Sequence, residues 1–125
     1  MRILDPTSLP PAIVQRIIKG TDSLLIQADD KKIAYFISKT TQQTELHRKN
    51  LTESSYLQDG LSANIKTLHI KYGIIKAQTL EFLSAAQVVN WNTVKLIKIQ
   101  LRMQSEQTSL KQKALIKDLS FVVGV

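Results

Sequence analysis

Between Leu61 and Met103 apolar residues recur in a 4-3-4-3 rhythm, at Leu61, Ile65, Leu68, Tyr72, Ile75, Phe82, Ala86, Val89, Leu96 and Met103. Thr79, Thr93 and Gln100 hold the remaining steps of the same register. This spacing keeps one stripe of a helix facing a partner, so it predicts a long amphipathic helix over 61–104 with a coiled-coil-like seam. Continuous from Leu61 to Gln104, the helix would be about 65 Å long at 1.5 Å per residue. Gly73 is its weak point, because Gly costs roughly 1 kcal/mol against Ala in a helix interior. Leu68–Tyr72 and Ile97–Met103 alternate as strands do, but the alternation loses phase at Leu96-Ile97 while the heptad does not, and helix is the preferred reading.

A second apolar row, Leu80, Leu83, Val94, Ile97 and Leu101, runs along an adjoining face. The apolar arc is then wider than a two-stranded coiled coil requires, which points to a helical bundle or a higher assembly. The pattern outside 61–104 adds smaller elements. Residues 1–22 read as an N-terminal arm with a short helix that begins near Pro11 and stops at Gly20. Over 23–37, two β-branched and aromatic runs flank Asp29-Asp30-Lys31 and predict a small β-hairpin, with a helix starting at Asp22 or Ser23 as the alternative.

The polar stretch 38–60 predicts a solvated helix that ends in a turn at Asp59-Gly60 and folds back along the long one. A last helix is expected over 108–119. The apolar tail 120–125, Ser-Phe-Val-Val-Gly-Val, either packs on its own domain or adds as a strand to a partner. The whole reads as one mainly α domain over 1–125, a long helix or helical hairpin with the small β-hairpin appended.

Composition narrows the chemistry more than the architecture. The chain has no cysteine, which removes disulfides and thiolate sites. Neither His47 nor His69 has a carboxylate three or four residues on, so no metal ligand set is expected. The acids stand isolated and the four glycines lie far apart, so no acid/base pair, phosphate loop, cofactor site or catalytic residue can be nominated, and the chain is not expected to be an enzyme.

No signal peptide is visible in Met1–Pro11, and the apolar stretch 73–101 is too often interrupted by polar side chains to span a membrane. A cytoplasmic or particle-associated location is the default expectation.

Charge adds one candidate surface. The net charge is +7, and residues 61–125 carry nine Lys/Arg against three Asp/Glu. On a helix Lys95, Lys98 and Arg102 would share a face, and with Lys66, Lys71 and Lys76 they are the candidate phosphate contacts. Trp91, between two asparagines, is either an interface anchor or a cover for the second apolar row.

The reading that follows is a self-associating structural or assembly protein, a subunit or adaptor of a virion, appendage or secretion apparatus, with the first apolar row as its oligomer seam. A basic nucleic-acid-binding protein is the alternative. A small chaperone or regulator that grips a partner helix is a third reading.

Overall fold

A computed structural model of the chain describes residues 1–40, 43–52, 59–105 and 115–125, and the backbone alone at 40 and 59–63. Nine strands among these residues form two antiparallel sheets. The first is a meander of β1 (Arg2–Leu4), β2 (Leu24–Ala28), β3 (Lys31–Thr40), β4 (Gln43–Asn50) and β5 (Asp59–Ala63), in that order. The second holds β6 (Ile65–Lys76), β7 (Thr79–Leu83), β8 (Leu96–Gln104) and β9 (Ile116–Gly124), in the order β7-β6-β8-β9.

The mainly α architecture is therefore overturned: no helical bundle or coiled coil exists among the described residues, where the only α-helix is α1, Pro11–Val14. The reason lies in the alternating stretches. Leu68, Ile70 and Tyr72 on β6 and Ile97, Ile99 and Leu101 on β8 face inward at every second residue, as a strand with one face on a core demands. The phase loss before Ile97 counts against strands only if the segment is one element. Here a hairpin and a connection separate β6 from β8, so each strand sets its own phase.

The 4-3 rhythm consequently marks no common surface. Ile65, Leu68 and Tyr72 are buried, Ile75 and Phe82 lie on the opposite face of the sheet, and Val89 projects from the β7–β8 connection, 99% exposed. The expected polar helix over 38–60 is also corrected: residues 43–50 form β4, Asp59 and Gly60 open β5, and 53–58 lie outside the described residues. Of the helix expected over 108–119, residues 116–119 belong to β9 and 108–114 lie outside the described residues.

Both faces of β3 are covered. Its residues Ile33 and Ile37, with Ile3, Leu24 and Ile26, pack against Leu68, Ile70, Tyr72 and Ile97 of the second sheet. On the other face Ala34 and Phe36, with Leu25, pack under Leu9 and Ile13 of the N-terminal arm. The layers are thus arm, first sheet, second sheet. His47, opposite Phe36 in the β3–β4 ladder, is trapped in the arm-side layer, with its ring 5.7 Å from that of Phe36 and only 3% of its surface exposed.

Two turns use backbone that the sequence does not advertise. The β6–β7 hairpin turns on Ala77 (φ 49°) and Gln78 (φ 67°), both left-handed, the geometry in which Asn-Gly is usual. Asp29 (φ 55°) turns the β2–β3 hairpin, where an Asp side chain tolerates the left-handed region. An L-residue there costs roughly 1–2 kcal/mol. Replacing Ala77-Gln78 by Asn-Gly should therefore raise stability by about 1 kcal/mol, seen as a thermal midpoint several degrees higher.

His47 generates a second test. Burial lowers its pKa from 6.5, Glu45 partly offsets this, and Arg16 adds to the lowering. Above pH 6.5 both folded and unfolded chains hold it neutral; below, the unfolded chain takes the proton first, so stability falls with pH. Denaturant titrations at pH 7 and 5.5 should show this loss in the parent and a flatter dependence in His47→Phe.

Candidate assembly surface

The second sheet is covered less completely than the first, and β9 is its barest strand. Every residue from Ile116 to Gly124 is exposed, although Leu119, Phe121, Val122 and Val123 are large and apolar. In register, Leu119, Phe121 and Val123 stand beside Leu101, Ile99 and Ile97 on the inner face. That row opens into a groove of about 290 Å³ between the sheets, walled on the first sheet by Tyr35 and Leu46 and on the second by Ile99, Leu101, Phe121 and Val123. The apolar tail expected at 120–125 is therefore the edge strand of the chain's own sheet, with its side chains left outside the core.

The outer face of the same sheet carries a mixed patch. Gly73, Leu96 and Gly124 lie in one cross-strand row, and Lys71, Lys98 and Val122 in the next. Leu80 and Phe82 of β7 lean over Gly73, where a Cβ would come within 3.0 Å of the Leu96 Cβ and 3.1 Å of Phe82 Cε1. Glycine thus lets Phe82 lie close to the sheet, and Lys98 Nζ stands 5.9 Å from its ring centroid. Further along, Arg102 holds Asp118 across the β8–β9 ladder with two hydrogen bonds of 2.9 and 3.2 Å. This bidentate pair raises the Arg102 pKa and lowers that of Asp118.

The fold disperses the candidate phosphate contacts. Lys71 and Lys98 are direct cross-strand neighbours, and Arg102 shares their face but is engaged by Asp118. Lys66 sits at the register shift between Ile65 and Thr67, Lys76 closes the β6–β7 hairpin, and Lys95 precedes β8. The helical face that was to unite Lys95, Lys98 and Arg102 does not exist. Trp91 packs edge-to-face on Tyr72 with ring centroids 4.8 Å apart, half-buried against the chain's own core. Burial there, with Asp22 and Asp5 adding to it, pushes the Tyr72 hydroxyl pKa well above its usual value.

The apolar rows divide between the two faces and the connection. Ile65, Leu68, Tyr72, Met103, Leu83, Ile97 and Leu101 belong to the inner side, and Val94 is buried at the end of the connection. Ile75, Phe82, Leu96 and Leu80 lie on the outer face, Ala86 and Val89 are exposed in the connection, and the Leu61 side chain is outside the described residues. The β9 edge and its groove escaped the helical reading. The alternation Leu119-Phe121-Val123 was the available signal.

A family model described as PilW, type IV pilus-assembly protein W, matches residues 34–121, from β3 to β9 and so through both sheets. The chain belongs to the type IV pilus-assembly protein W family. No curated protein and no solved structure matches the chain. Membership of the PilW family makes the protein assembly-related, and the β9 edge and the patch around Phe82 are two apolar surfaces that this PilW-family chain leaves exposed among its described residues. No helix among the described residues is long and apolar enough to cross a membrane.

The contact at Gly73 yields a direct test. A methyl group there must push Phe82 and Leu80 off the outer face, because the Leu96 Cβ is fixed by its backbone. Gly73→Ala should therefore lower stability by about 1–3 kcal/mol, as overpacking does, and a companion Phe82→Ala should recover part of the loss. Chemical denaturation of the two variants and their combination measures both effects.

Proposed function

We propose that the protein serves type IV pilus assembly as a contact-making component, and that it acts by binding another protein rather than by catalysis. The observation that carries this reading is the state of β9: nine residues, exposed on both faces, with an apolar row continuous with an open groove. A large unburied apolar surface on a folded domain is what a protein interface offers before its partner arrives. Membership of a pilus-assembly family supplies the setting in which that partner is found.

A nucleic-acid role has less support. Of the six candidate cations only Lys71, Lys98 and Arg102 share a face, and Arg102 is already held by Asp118. The self-associating helical seam does not exist, because residues 61–104 form strands, short 3-10 turns and connections.

Phe121→Glu places a charge in the apolar row while leaving the inner core untouched. The variant is expected to weaken the contact by about 2 kcal/mol or more, as loss of a central aromatic anchor does. Cells in which it replaces the parent should be depleted of pili under the electron microscope, with the purified variant keeping its thermal midpoint. A stable variant with normal piliation would sink the proposal.

A further inference from the structure

Which groups of β9 remain free follows from its ladder with β8. The Val125 N–H donates to the Lys95 carbonyl at 2.9 Å, and the Ser105 N–H donates to the Leu115 carbonyl at 2.9 Å. With Leu96 opposite Gly124 and Gln104 opposite Ile116, these bonds flank the ladder at its two ends and agree in phase. Bonded and non-bonded pairs alternate along an antiparallel ladder, so the odd-numbered residues of β9 bond to β8. The N–H and C=O groups of Ile116, Asp118, Ser120, Val122 and Gly124 therefore point away from β8. No strand among the described residues meets them.

Natural edges are usually blunted by proline, a bulge or a charge that discourages pairing. The β8–β9 register runs from Ile116 to Gly124 without a shift, and the strand contains no proline. Asp118, its one acid, is held by Arg102, and Lys117, its one lysine, stands near the start of the strand opposite Met103, so the stretch from Leu119 to Gly124 carries no charge. Among the described residues, what remains is an open template of main-chain donors and acceptors, with an apolar row along one side.

We infer that β9 receives, by main-chain pairing, an extended strand of a different protein that carries apolar side chains at alternate positions and carboxylates among the others. This rests on the pilus-assembly reading and names the chemistry of the partner. The alternation follows from the two sides of the new strand. One side lies beside Leu119, Phe121 and Val123 and over the groove wall formed by Tyr35 and Leu46; the other faces solvent.

The charge of the partner follows from the cations around the edge. Lys117 stands at one end of the inner row, and Lys98 lies beside Val122 on the outer face with Lys71 behind it. None of the three has a carboxylate partner among the described residues. A second copy is a poor occupant on the same ground. It brings a further +7, and its own β9 offers only an Asp118 that is already engaged.

Val122→Pro tests the pairing itself, because the Val122 N–H points to the open side and is not used in the β8 ladder. Phe121→Pro is its control, since the Phe121 N–H belongs to that ladder. Val122→Pro should keep the thermal midpoint and Phe121→Pro should lower it; equal destabilisation would overturn the edge assignment.

In cells, Val122→Pro should deplete pili as Phe121→Glu does. Normal piliation with Val122→Pro, alongside loss with Phe121→Glu, would overturn strand addition and leave the assembly reading standing. Normal piliation with both would remove that reading too. For the charge, the purified chain is titrated with two nine-residue peptides that alternate valine with glutamate or with lysine. The glutamate peptide should bind about tenfold tighter and shift the amide resonances of Ser120 and Val122, and Lys98→Glu, on the outer face with those glutamates, should erase the difference. Equal binding of the two peptides, or a self-association in sedimentation that Val122→Pro abolishes, would overturn an acidic foreign partner.

Discussion

The chain leaves the first sheet and enters the second within a single residue, Asn64, and the relation of the two sheets depends on that corner. Asn64 is left-handed, with φ 63°, a conformation that asparagine tolerates better than most residues. Its N–H donates to the Thr44 carbonyl at 2.8 Å, on the first sheet, and its carbonyl accepts from the Gln104 N–H at 3.0 Å, on the second. One peptide unit on either side of the residue is therefore committed to each sheet. With the corner held, β6 is carried across β3 and β4, and Leu68, Ile70 and Tyr72 reach the inner face of the first sheet.

A second tie holds β6 from its other side. β7 covers only Tyr72 to Lys76, which leaves the earlier half of β6 without a strand neighbour on that edge. Asp22 takes the place of one. Its N–H donates to the Leu68 carbonyl at 2.7 Å, and its carboxylate accepts from the Ile70 N–H at 2.9 Å. The linker after the N-terminal arm is in this way bound to the second sheet, and backbone groups that burial would otherwise leave unpaired are satisfied.

Coverage then declines from the centre outward. β3 is buried on both faces, β6 is buried on one, and β9, two strands beyond β6, on neither. The same constraint that builds the core thus leaves an edge for contact. Because Asn64 and Asp22 both act on β6, nothing in these ties draws the first sheet over β9, and the groove between Tyr35, Leu46, Phe121 and Val123 stays open. Assembly and stability therefore draw on different parts of the second sheet.

Local signals were readable where they did not depend on partners. Leu24–Ala28 and Lys31–Thr40 carry β-branched and aromatic runs around Asp29-Asp30, and that segment folds as an antiparallel pair. Pro10-Pro11 places the start of the short helix, but the helix ends at Val14 and not at Gly20, because Ile17 bridges to Ser38 of β3. The strands β6 and β8 were present in the sequence as alternation, but the same residues also satisfy a 4-3 spacing, and only pairing decides between the two periods. Their pairing is long-range: Leu68 meets Leu101, and Ile97 meets Val123. The turn at Ala77-Gln78 gave no signal because neither residue favours the left-handed region that hairpin closure imposes on it. By itself, then, the sequence determined the β2–β3 hairpin, the charge and the absence of thiol chemistry, which are properties of residues and near neighbours. The tertiary structure alone decided which period was real and which apolar residues stayed outside, because burial is settled between segments far apart in the chain.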